Sequence, residues 1–242
     1  MKRLNTYITE YIIKKKLDKP IDSEDHYEYY PKSKEELIKN ILEVFNSGKT
    51  DLNCIDTSKI TDMSNLFDSG NYNKSLDNID ISKWNVSNVK YIARMFINCL
   101  HFDCDFSNWN IHNVRSTFGL FWNCGNFKGK GLENWDVSNV INMDSMFAFC
   151  TKFNCNLSKW NVSTNTTDMG AMFRNCYNFD SDLSNWDVSN VKHMDEMFVN
   201  CSKFKGKGLE NWDVSNIEPT NMSDMFDNCK SLKKPSWYNG NT

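Results

Sequence analysis

Trp186-Asp187-Val188-Ser189-Asn190-Val191-Lys192-His193-Met194-Asp195-Glu196-Met197-Phe198-Val199-Asn200-Cys201-Ser202-Lys203-Phe204 is one copy of a unit that fills most of the chain. Its tryptophan recurs at Trp84, Trp109, Trp135, Trp160, Trp186, Trp212 and Trp237, always 25 or 26 residues apart. A fixed period in this range marks stacked repeats, in which each unit buries its apolar face only against its neighbours. Within the unit, Leu183 to Val188 carries closely spaced apolar residues and alternates at Trp186-x-Val188, which reads as a short strand. Val191, Met194, Met197, Phe198 and Cys201 then follow spacings of 3, 3, 1 and 3, one face of a short helix. Ser189 or Asn190 is its expected N-cap. The reading is an α/β repeat solenoid with one short parallel strand and one short helix per 25–26-residue repeat.

Working outward, residues 51–238 hold about seven repeats and a truncated end. The first is degenerate, with Ile55 at the tryptophan position and Gly70 at the cysteine position. Phe127 to Val140 recurs at Phe204 to Ile217 with one change, at an offset of 77 residues, so a block of three repeats was duplicated. Residues 33–50 read as a capping helix for the end of the stack. Ser33-Lys34-Glu35-Glu36 is a capping box, Leu37, Ile38, Ile41, Leu42 and Phe45 make an apolar face, and Gly48 is a stop. Residues 1–32 read as an amphipathic helix followed by a linker. That segment either packs on the stack or docks the protein onto a carrier.

The tryptophans Trp84, Trp109, Trp135, Trp160, Trp186 and Trp212 are expected to form a core ladder. Cys99, Cys124, Cys150, Cys176, Cys201 and Cys229 should form a second one, of free thiols acting as small apolar residues. A net charge of −3 argues against a nucleic-acid partner. No apolar run is long enough to span a membrane, and the N-terminus does not read as a secretory signal. There is no Cys-x-x-Cys, the four histidines fall at unrelated repeat phases, and no metal, cofactor or catalytic constellation is expected.

Met143/Met146/Phe147/Cys150/Phe153 with Leu157/Trp160/Val162, and again Met194/Met197/Phe198/Cys201/Phe204, form a pattern that resembles the BspA-like, mycoplasma-type leucine-rich-repeat surface proteins. The resemblance covers about residues 51–238. It implies a leucine-rich-repeat-like solenoid, surface display, and adhesion or protein binding.

Residues shared by every repeat serve stacking, so specificity is expected where repeats differ. Tyr91, Arg94 and His193 are such positions, and Trp122 and Phe149 are unusually large residues beside the cysteine ladder. The Asp or Asn after each tryptophan is expected to make turn hydrogen bonds rather than a calcium ladder. Lys128, Lys130, Lys205 and Lys207 flank tight glycine turns and suggest an exposed basic spot. The function expected from all this is a non-enzymatic scaffold that binds a protein or a glycan. The alternative is a structural decoration or assembly protein of a larger particle, such as a virus.

Overall fold

Ser33 and the apolar spacing after it produce the single long element, α1 (Lys34–Asn46). In this computed structural model, residues 27–68, 72, 76–162 and 164–238 are described. The N-terminal amphipathic helix expected before residue 17 lies outside them, as does Gly70. The hydroxyl of Ser33 accepts from the Glu36 N–H at 3.3 Å. The return bond differs from the expected box, because the Glu36 carboxylate takes the N–H of Lys32 rather than that of Ser33. Leu37, Ile41, Val44 and Phe45 are buried, and Gly48, at φ 83°, follows the end of the helix. Leu42, assigned to the apolar face, is 39% exposed, and Val44 takes its place.

No α-helix forms in the repeats among the described residues; only three short 3₁₀ turns do, at Leu132–Asn134, Leu209–Asn211 and Pro219–Met222. The backbone of Met194 to Cys201 gives the reason. The N–H groups of Met194, Glu196, Phe198 and Asn200 donate to Asn221, Ser223, Met225 and Asp227 of the next unit, at 2.8–2.9 Å. The N–H groups between them, on Met197, Val199 and Cys201, close turns onto the residue three back. A helix would send all of them to the residue four back and keep every φ negative. Here Glu196 and Asn200 are left-handed, at φ 56° and 62°. The same pair recurs as Arg94/Asn98, Gly119/Asn123, Ser145/Phe149, Ala171/Asn175 and Asp224/Asn228. The apolar spacing of 3, 3, 1, 3 is therefore written by consecutive tight turns, which share the short period of a helix.

The strand was also misplaced. Leu183 to Val188 forms turns, with the Trp186 N–H on the Leu183 carbonyl. Parallel pairing occurs as isolated bridges: Asp62 to Tyr91, Ser116 to Asn142, Asn142 to Asp168 and Asp168 to His193 lie at or just before the first methionine position, and Tyr29 to Ile55 and Asp51 to Asp80, near the N-terminus, lie on the tryptophan side of the unit. The described residues thus make a mostly irregular domain with one N-terminal helix, isolated parallel bridges and a large aromatic core.

That core is built of rows. Phe67, Phe96, Phe121, Phe147, Phe173, Phe198 and Phe226 stack with centroids 5.3–5.8 Å apart. Every repeat tryptophan from Trp84 to Trp212 is buried, and each indole N–H donates to a carbonyl of the preceding unit at 2.7–3.3 Å. A buried indole N–H left without an acceptor would oppose folding, so these bonds make the ring affordable in the interior. All nine cysteines are free thiols. The six ladder cysteines do more than fill space. Their thiols donate to the carbonyls of Phe67, Phe96, Phe121, Phe147, Phe173 and Phe198 at 2.9–3.0 Å. Burial pushes the Cys150, Cys176 and Cys201 thiols far above their ordinary range, so they remain protonated donors.

Candidate functional site

Burial sorts the side chains of each turn segment into two sets: in Met194 to Cys201, Met194, Met197, Phe198 and Cys201 are buried, and Asp195, Glu196 and Asn200 are half-buried. One set enters the core; the other stands outward on the face that carries the parallel bridges. Tyr91 and His193 occupy bridge positions on that face. Arg94 sits at the first left-handed position of its unit and Phe149 at the second. Trp122 immediately precedes the second left-handed position of its own unit, at Asn123. Tyr91, Arg94 and His193 are exposed, Trp122 and Phe149 are half-buried, and only some of the five meet.

Trp122 and Phe149 do meet, edge to face at 5.6 Å, both half-buried. Arg94 belongs to the same patch. Its guanidinium lies 4.8 Å from the centre of the Phe118 ring, and its stem crosses beside Gly119 next to Trp122. Gly119 has φ 57°, and a Cβ there would stand 3.3 Å from the Arg94 stem, so this position keeps the arginine close to the backbone. Tyr91, three residues before Arg94, is 63% exposed. His193 stands apart from it, bridging Asp168 two units beyond Asn142.

Phe149 holds a conformation that suits asparagine. Asn98, Asn123, Asn175, Asn200 and Asn228 take the same left-handed position in the other described units. Asn123 donates to Asn98 at 2.9 Å, and Asn200 to Asn175 at 2.6 Å. Phe149, at φ 65°, interrupts that amide row. A bulky residue with positive φ is strained, so its ring is held there at a cost in stability. Arg174 lies 6.0 Å over that ring and is paired with Glu196.

Beyond Phe149 the face turns acidic. A Cβ on Gly170 would lie 3.4, 3.6 and 3.4 Å from carboxylate oxygens of Asp144, Asp168 and Asp195. Burial, followed by the charges of Asp168 and Asp195, holds the Asp144 carboxyl above the usual carboxylate range. Among the described residues none of these three forms an ion pair with Lys, Arg or His. Nor does any group of three or more His, Cys, Asp or Glu have the arrangement to hold a metal ion. Phe118, Arg174 and this acidic trio were missed by the sequence reading, because their shared face is set by the turn pattern that was read as a helix.

The lysine-glycine turns and the residues after the tryptophans are satisfied within the chain. The proposed basic spot is neutralised: Lys128 and Lys130 pair with Asp103 and Asp105, and Lys205 and Lys207 with Asp180 and Asp182 of the preceding unit. The residues after the tryptophans make turns, as expected. Asn85, Asn110, Asp136, Asp187 and Asp213 accept the N–H two residues on, at 3.0–3.1 Å.

The family described as Mycoplasma protein of unknown function, DUF285, matches the chain twice in tandem, over residues 36–131 and 119–238. No curated protein and no solved structure matches.

Proposed function

The chain belongs to the DUF285 family, and from that premise we propose that it is a non-enzymatic scaffold that binds a macromolecule through its bridge face. The family description lends no activity, so the reading rests on the residues. Its finer architecture is read as a leucine-rich-repeat-like solenoid of the BspA-like kind. The support is the hydrogen bonding of each unit to the next and the rows of Phe, Trp and Cys. In such an array the shared residues hold the stack and the unshared ones face a partner.

One observation carries the functional reading. Phe149 occupies a left-handed position that asparagine takes in the other described units, and its ring stands against Trp122. Large aromatic groups at a half-buried surface position, kept against a backbone preference, are the pattern of binding anchors. Adhesion at a cell or particle surface is the role proposed for it. Docking onto a carrier through residues 1–32 is part of the proposal but lies largely outside the described residues. No helix among the described residues is long and apolar enough to cross a membrane.

The test uses the full chain carrying a photo-crosslinking residue at Tyr91 and, separately, at the exposed Lys203, two residues after the ladder Cys201. Exposed to material from the native source, the Tyr91 position is expected to give discrete adducts and the Lys203 position none. Equal labelling from both positions overturns the reading.

A further inference from the structure

We infer that the bridge face takes an extended polypeptide segment with apolar or aromatic side chains at one end and lysine or arginine at the other. The inference rests on the binding-scaffold reading above and names its partner. The apolar end of the face is on the page: Tyr91 is 63% exposed, and Trp122 and Phe149 meet at 5.6 Å. The acidic end begins in the unit of Phe149 itself and runs two units further, where Asp144, Asp168 and Asp195 converge on Gly170.

Three facts give the partner its charge and shape. First, Asp144, Asp168 and Asp195 form no ion pair among the described residues, although His193 bridges Asp168, and Arg174 is paired with Glu196. The three carboxylates therefore face one another with no cation of this chain bonded to them. Mutual repulsion at that separation is relieved by an incoming guanidinium or ammonium group, and a neutral glycan supplies no such charge. Second, Gly170 is buried and Asp144, Asp168 and Asp195 around it are each half-buried, so a partner meets the carboxylates at the surface and not the glycine beneath them. Third, successive units step by little more than 5 Å, as the phenylalanine row shows. Four such steps separate Tyr91 from Asp195, a span of about 20 Å, which about six residues of extended chain cover. Aromatic anchors at one end and carboxylates at the other then fix both the direction and the register of the segment. The acidic character continues past the site, with Asp224 and Asp227 exposed in the next unit.

The experiment measures binding of the full chain to three probes at low salt. They are a peptide with a Trp/Leu half and an Arg half, the same peptide with glutamate for arginine, and a neutral chitin oligosaccharide. The arginine peptide is expected to bind and the other two not. The double variant Asp168→Asn/Asp195→Asn should weaken it about tenfold and flatten its salt dependence. Trp122→Ala should weaken it by about thirtyfold with the salt dependence retained. Tyr91→Ala, at a well-exposed position of the apolar end, should weaken it less, and the unfolding midpoint of each variant shows whether it is folded. Binding of the oligosaccharide alone, sensitive to Trp122→Ala, overturns the polypeptide partner and leaves the scaffold reading standing. An arginine peptide that binds equally well to the Asp168→Asn/Asp195→Asn variant overturns the inference as well. If no probe binds, the inference fails, and the crosslinking from Tyr91 decides separately whether the scaffold reading does.

Discussion

At the scale of single residues, two positions show how a repeated letter hides chemistry. The ladder cysteine reads as a small apolar side chain, and it is one. It is also a second donor to the preceding unit's phenylalanine carbonyl: the Phe121 carbonyl accepts the Cys124 N–H at 3.1 Å and the Cys150 thiol at 2.9 Å. Phe149 shows the reverse case, a residue that departs from its row. Its left-handed backbone disfavours a large L side chain by about 1–2 kcal/mol, whereas asparagine tolerates it. Phe149→Asn is therefore expected to raise thermal stability, by the equivalent of about 1 kcal/mol, and to rejoin the amide row between Asn123 and Asn175. Thermal unfolding of the variant checks this. A lower midpoint would mean that the Trp122 contact outweighs the backbone strain. The same change should reduce binding at the face, a stability gain traded for function. Phe149 was legible in the sequence as an oversized residue; its strain was not, because φ follows from the turn.

At the scale of elements, the helix and the repeats contrast. α1 was readable because capping, periodicity and stop all lie within one continuous segment, and only Leu42 and Val44 exchanged roles. The repeat segments failed as helices because half of their N–H groups are claimed by the next unit. Local spacing cannot report a partner 25 or more residues away. The glycine loops were legible as tight turns, and the structure adds how close they come. Gly131 has φ 91°, and a Cβ there would stand 2.2 Å from the Ser107 nitrogen. Gly208 repeats this against Ser184, at 2.3 Å. Gly131→Ala should destabilise by about 2–5 kcal/mol, combining left-handed strain with a clash against backbone that has nowhere to go. Denaturant unfolding measures it, and a loss under 1 kcal/mol would show that the loop lifts off its neighbour at little cost.

At the scale of the whole molecule, surface charge is arranged between units. The Lys130 ammonium holds the Asp105 carboxyl down to about 2, and Lys207 does the same for Asp182. Both folded values lie below the ordinary 3.8. Their stabilisation is therefore present above that pH and is lost as pH falls through it toward about 2. Asp144 acts in the opposite sense, since its raised folded value means that ionisation opposes folding near neutrality. Denaturation midpoints taken from pH 5 to pH 2 should fall steeply below pH 4. Replacing Lys130 and Lys207 by Met should make that fall shallower; an unchanged slope would assign the acid sensitivity elsewhere. By itself the sequence determined the period, the identity of the core rows and the capping helix, because each is fixed by side-chain type recurring along the chain. Only the tertiary structure decided that the repeats are turns, that thiols are donors, that Trp122 meets Phe149, and that Asp144, Asp168 and Asp195 converge on Gly170. Those features depend on hydrogen bonds and close approaches between units, and no spacing within a unit encodes them.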